Sequence, residues 1–146
     1  MIRLTVPGLP PSSNHAYFNL RGGGRSLTAV GRAYLTSTKS HLQRLYRTEM
    51  MFFQKNVPYL VLAHFYFPEV ENKGYPNKGE TRYKKLDGNN RLKLLEDALK
   101  DAGGVDDSQT LGFFWLKKQG APERVELWIW NLETETTPFD DALRTL

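Results

Sequence analysis

Carboxylates bracket the run KKLDGNNRLKLLEDALKDAGGVDDSQ, residues 84–109: Asp87 stands just before an amphipathic segment and Asp106-Asp107 just after it. Converging carboxylates bind a hard divalent cation, which activates water and offsets charge on a scissile phosphate. The intervening helix is roughly 20 Å long, so its two ends make one pocket only where neighbouring strands or a bend bring them together. Bland roles exist for each residue. Asp87 suits a helix N-terminus, where the dipole favours negative charge. Asp107 and its competitor Asp106 suit a turn or cap, and Lys93 suits an exposed lysine paired with Asp97 at i+4.

The charge around this run points to a polyanion. Net charge is +4, yet the tail 133–146 holds Glu133, Glu135, Asp140 and Asp141 against Arg144, which leaves +7 on the other 132 residues. Residues 73–93 alone carry +5, from Lys73, Lys78, Arg82, Lys84, Lys85, Arg91 and Lys93 against Glu80 and Asp87. Dense Lys and Arg on one surface reward phosphate binding through counterion release. Arg82, Lys84, Lys85 and Arg91 are accordingly assigned to phosphate-backbone contacts, with solvated loop charge as the alternative. The chain has no cysteine, so a metal must be held by oxygen or by the three histidines, which favours Mg²⁺ or Mn²⁺. No apolar stretch is long enough to cross a bilayer, and the opening MIRLTVPGLPP is not a secretory signal, so a cytoplasmic location is the expectation. No organic cofactor is expected. Gly22-Gly23-Gly24 lacks the Lys-Ser/Thr of a phosphate-binding loop, and Ala98 stands where an EF-hand starting at Asp87 needs its Glu.

The elements that must position these residues follow from pattern. Residues 2–7 read as a strand closed by Pro and Gly, and RGGGRS as too glycine-rich for regular structure. Thr28 predicts an N-cap for a helix reaching about Met50. YLVLAHFYFP (59–68) predicts a strand buried on both faces, with His64 a satisfied core histidine. Residues 69–85 predict a long loop that delivers basic side chains. From about Asn89, Leu92, Leu95, Leu99 and Ala102 mark a helix face, with Arg91, Lys93, Glu96, Asp97 and Lys100 in other directions and Gly103-Gly104 as its stop. Residues 109–118 and 123–131 predict two strands joined as a hairpin. Phe113, Phe114, Trp115, Trp128 and Trp130 read as core or dimer interface rather than as base-stacking groups. One domain, 1–132, with an acidic tail, 133–146, is the expected organisation.

The ordered residues Asp87, Asn89-Asn90, Lys93, Asp97-Ala98-Leu99 and Asp106-Asp107-Ser108-Gln109 resemble the core of the RusA family of Holliday-junction resolvases, Asp-x-Asp-Asn-x-x-Lys, then Asp-Ala-Leu, then Asp-Asp-x-Gln. Leu-Pro-Pro-Ser-Ser-Asn (9–14) and Gly31-Arg32-Ala33-Tyr34 resemble its opening turn and first helix. The resemblance implies an α+β fold, a small mixed sheet packed by two main helices, in an intertwined homodimer that cuts four-way junction DNA in pairs with Mg²⁺ or Mn²⁺. It further implies Asp87, Lys93 and Asp107 as catalytic residues, Asp87, Asn89 and Asp107 as metal ligands, and a phage or prophage origin. Asn89 departs from the family, which has Asp there. An amide offers a carbonyl oxygen but neither charge nor a basic site. Glu96 lies on the same helical side as Asn89, seven residues on, and is a candidate to compensate. A shifted ligand set, an inactivating substitution and a non-cleaving junction-binding relative are the three readings of Asn89, and a magnesium-dependent phosphatase is the more distant rival.

Overall fold

The computed structural model describes residues 1–86 and 88–140, so Asp87, Asp141 and Arg144 lie outside the described residues. A four-stranded mixed sheet has the order β1-β6-β4-β5, built from β1 (Ile2–Pro7), β4 (Tyr59–Phe67), β5 (Thr110–Gln119) and β6 (Arg124–Asn131). β1 and β4 both run antiparallel to β6, while β5 runs parallel to β4. A separate two-stranded ribbon pairs β2 (Tyr17–Asn19) with β3 (Arg25–Leu27). The described helices are α1 (Ser13–Ala16), α2 (Ala29–Leu45), α3 (Arg47–Met50) and α4 (Asn89–Gly103). The result is a small α+β domain.

Alternation sorts each strand into a helix-facing and an outer face. Leu4, Val6, Val61, Ala63, Phe65, Val125, Leu127 and Ile129 share one core with Leu42 of α2 and Leu95 and Leu99 of α4. Thr28 caps α2 as its type predicts, its hydroxyl accepting from Gly31 N at 3.1 Å. The helix stops earlier than predicted, because Tyr46 leaves helical geometry (φ −126°, ψ 34°) and its hydroxyl accepts from Thr5 N at 3.2 Å on β1.

Four expectations need correction. β5 and β6 do not form a hairpin, because β4 lies between them and pairs with both. A strand with apolar side chains along its whole length takes the centre of the sheet. β4 itself is buried on both faces only at its start: Tyr59, Val61, Ala63, Phe65 and Phe67 are buried on one face and Leu60 on the other, but Leu62, His64 and Tyr66 on that outer face are only partly covered. His64 is therefore not a satisfied core histidine. Its ring lies 4.5 Å from Trp128 and its buried Nε2 has no hydrogen-bond partner among the described residues. Burial and the nearby positive charges of Lys118 and Arg3 lower its pKa against the pull of Glu126. Finally, part of the glycine-rich segment is ordered: Gly23 and Gly24, at φ 88° and 86°, turn the chain so that Arg25 pairs with Asn19 and Ser26 with Phe18.

The described part of the tail folds back on the sheet. Glu135 accepts from Asn131 N at 2.9 Å and forms an ion pair with the amino terminus, and Phe139 stacks on Phe114 at 4.5 Å.

Close packing of α1 on α2 depends on Gly31, where a Cβ would sit 2.5 Å from the Ala16 carbonyl oxygen. Gly31→Ala is expected to cost about 1–3 kcal/mol in urea unfolding through overpacking. Gly22→Ala, at a position with nothing within 4 Å, is expected to change stability by less than about 0.5 kcal/mol.

Candidate active site

β4, α4 and β5 form a β-α-β crossover, since the parallel pair β4/β5 is joined through α4. The crossover leaves Asn89 and Asp107 at opposite ends of α4, and what returns to the head of the helix is β5. β5 starts beside the end of α4 and runs back along it for about 16 Å between Thr110 and Trp115, at roughly 3.3 Å per residue. At the return point the Trp115 indole N–H donates to Asn89 Oδ1 at 2.8 Å. Gly88 permits that approach, because a Cβ there would fall 2.5 Å from the indole ring. Trp115, set aside in the sequence as core or interface, thus holds the start of α4. Its position in β5, on the same face as the core residue Phe113, was the available signal.

At the other end, α4 stops at Gly104, which is left-handed (φ 76°) and donates to Lys100 O at 2.7 Å. Val105 enters the core, and a single 3₁₀ turn, Asp107–Gln109, precedes β5. Asp106 caps that turn: its Oδ1 accepts from Ser108 N at 3.0 Å, its own N–H donates to Gln109 Oε1 at 3.1 Å, and its Oδ2 meets Lys100 Nζ at 3.2 Å. These bonds, led by those from Ser108, hold its carboxyl far below the usual range. Gln109 pins the turn by donating to Gln54 O at 2.7 Å and Val57 O at 3.0 Å. Asp106 therefore does the structural work. Asp107 shares the Ser108 N–H, at 3.1 Å, also meets the Asp106 side chain, and is exposed.

Between the two ends lies Glu96, partly buried on α4. Its carboxyl is pushed above the ordinary glutamate range, chiefly by burial; Lys93 opposes the shift, and the negative charges of Asp107 and Asp97 add to it. Asp107 thus acts electrostatically on the middle of the helix. Lys93 Nζ stands 3.7 Å from Asp97 Oδ1, and Asp97 Oδ2 accepts from the Tyr17 hydroxyl at 2.6 Å. Burial and that carboxylate drive the Tyr17 pKa far up. Ser13 Oγ donates to Asn90 Oδ1 at 3.1 Å, so the Pro-Pro-Ser-Ser-Asn segment straps the first turns of α4. Nothing in the spacing of Tyr17 and Asp97, 80 residues apart, announced that bond.

The basic residues divide sharply. Arg91 faces inward: it donates to Pro10 O, its guanidinium lies 5.9 Å from the Phe67 ring centre, and its Nε is buried without a partner among the described residues. Helical geometry accounts for this, because Arg91 is four residues before Leu95 and seven before Ala98, on the buried side. Arg82 pairs with Glu71 at 2.9 Å and Lys84 with Glu69 at 3.0 Å, and Lys73 also pairs with Glu69. A charge window starting at residue 73 leaves out both glutamates. Lys85 is exposed.

Residues 7–129 match the family described as Endodeoxyribonuclease RusA. The chain belongs to the RusA endodeoxyribonuclease family. No curated protein matches it. Among the described residues no three His, Asp or Glu side chains gather closely enough to hold a metal ion, while the first carboxylate of the RusA motif, Asp87, lies outside them. The donors that the RusA motif contributes, the Asp107 carboxylate and the Asn89 carbonyl, are oxygens, as is the neighbouring Glu96 carboxylate, which fits a hard divalent cation and not a soft one.

A raised Glu96 pKa makes the folded state bind its proton more tightly than the unfolded chain, so stability is fully present below the unfolded glutamate value and falls as pH rises through the folded one. In EDTA, Glu96→Gln should therefore melt near the parent chain at pH 4 and progressively above it towards pH 8. A melting difference that stays flat with pH would contradict the assignment.

Proposed function

We propose that this chain is a metal-dependent endodeoxyribonuclease that resolves four-way DNA junctions by paired phosphodiester hydrolysis in recombination and repair. One observation supports the reading: in a chain of the RusA endodeoxyribonuclease family, Asp107 is exposed in the turn after α4 and its negative charge reaches Glu96 on the helix side that also bears Lys93. Asp87, Asn89 and Asp107 would hold Mg²⁺ or Mn²⁺, which supplies an activated water and charge neutralisation at the phosphate. Lys93 is exposed and only loosely paired with Asp97 at 3.7 Å, so it can turn to a phosphate and offset the negative charge that grows in the transition state. Water attacks phosphorus, the P–O bond opposite it breaks, and the leaving oxygen takes up a proton. Arg82, Lys84 and Lys85 contact the DNA backbone; for Arg82 and Lys84, phosphates replace the carboxylates of Glu71 and Glu69.

A homodimer belongs to this reading, because a junction with two equivalent strands is cut in pairs by two sites related by a two-fold axis. The sheet face away from α2 and α4, with Phe114 and Leu116 exposed, offers an apolar patch for the second copy.

Asn89 favours a second reading, a junction binder that does not cut, since the amide keeps the bond to Trp115 while bringing no charge to the cation. A labelled four-way junction with Mg²⁺ or Mn²⁺ separates the two. Paired incision is expected, with Lys93→Ala slowing it by about 10²–10³-fold and Asn89→Asp speeding it. Binding with no incision in either metal, rescued by Asn89→Asp, would instead establish the non-cleaving reading. No junction binding at all would end both.

A further inference from the structure

The β2–β3 ribbon exposes side chains that a two-stranded element ordinarily has reason to hide. Phe18 and Leu20 are each 47 % exposed, and Arg21 and Arg25 stand out beside them. Neither arginine has a carboxylate partner among the described residues, whereas Lys73, Arg82 and Lys84 of the basic loop are all paired with glutamates. The ribbon therefore carries exposed positive charge of its own, in addition to that of Lys78 and Lys85 in the loop.

Register decides which way it points. Tyr17 pairs with Leu27 and Asn19 with Arg25, so these four share one face of the ribbon, and Phe18 with Ser26 occupies the other. The Tyr17 hydroxyl, 2.6 Å from Asp97, turns the first face towards α4. Asp97 in turn lies 3.7 Å from Lys93 Nζ. Arg25 is thus on the ribbon face that looks to Lys93, and its charge is felt at the Tyr17 hydroxyl. Thr28, donating to His15 O at 2.6 Å, closes the base of the ribbon onto α1, so the arm has a fixed root and a glycine tip.

We propose that the β2–β3 ribbon is a DNA-binding arm in which Arg25 and Arg21 contact phosphates next to the cleaved bond and Phe18 lies against an exposed base at the branch point. Unpaired arginines suit phosphate, which accepts several hydrogen bonds from a guanidinium fork, and an exposed ring on a short ribbon suits stacking on a base face. The inference rests on the endonuclease reading above.

The test measures binding of the full chain to a four-way junction and to a linear duplex in EDTA, across a salt series. Arg21→Gln with Arg25→Gln should lower the slope of log affinity against log salt by about two. Phe18→Ala should weaken junction binding about tenfold with the slope unchanged. Phe18→Leu, which keeps apolar bulk and loses the ring, serves the same purpose should Phe18→Ala not fold, and a melting midpoint for each variant guards the comparison. Parent binding with slope and affinity unchanged in all folded variants overturns the arm alone and leaves the patch for a protein partner. No DNA binding by the parent overturns the arm and the endonuclease reading together.

Discussion

Burial of Leu94, Leu95, Ala98 and Leu99 fixes the rotation of α4, and every candidate catalytic group on that helix takes its direction from it. Each fully buried leucine contributes about 1.5–3 kcal/mol, whereas an exposed i,i+4 pair such as Lys93–Asp97 contributes about 0.3–0.5 kcal/mol. Packing, not ion pairing, therefore decides which residues face outward. With the apolar side pinned to the sheet, Asn89, Lys93, Glu96 and Lys100 line up along the opposite side, and Arg91, in register with Leu95, is carried inward. Glu96 sits at the edge between the two sides, which is why it is a carboxylate that is half covered.

The same constraint shapes the approach of the other elements. A parallel β4/β5 pair requires a crossover, and α4 supplies it, so the residues just before α4 and just before β5 are set at opposite ends of one helix. Each end is fixed by its own contacts. The capped turn at Asp106 holds Asp107 at the end of the helix, where its charge reaches Glu96, and Trp115 ties the head of the helix to the returning strand. Structural duties are thereby assigned to Asp106, Gln109, Gly88 and Trp115, and Asp107 and Lys93 are left exposed.

What was legible in the sequence was what neighbours along the chain determine. β1, β4, α4 with its glycine stop, and the Thr28 cap are local patterns of period, capping and turn chemistry, and the ordered acidic motif placed the chain in its family before any contact was known. What escaped was partner choice. Alternation in β5 and β6 does not say that β4 separates them. The positive count of residues 73–93 does not reveal Glu69 and Glu71, which neutralise part of it from just outside that window. Arg91 shows a different limit: its charge suggests exposure, while its spacing to Leu95 and Ala98 sets it on the buried side. Asp87 lies outside the described residues, so the first member of the acidic set rests on the family motif rather than on geometry.

Asn89 draws these threads together. An aspartate at this position would accept the Trp115 N–H and still present a second, charged oxygen; the amide accepts the same bond at 2.8 Å and has only the other lone pair of that uncharged oxygen left, its N–H₂ group being a donor. The substitution therefore preserves the junction of helix, glycine and indole while withdrawing one negative charge from beside Lys93. Glu96, seven residues along the same side, carries a carboxylate that burial and Asp107 hold in its protonated form more firmly than usual. A divalent cation would reverse both causes of that shift at once, by replacing lost solvation with coordination and by cancelling the charge of Asp107. The amide therefore keeps the packing at the head of α4, and the half-buried carboxylate on this side of the helix is that of Glu96, almost two turns further on.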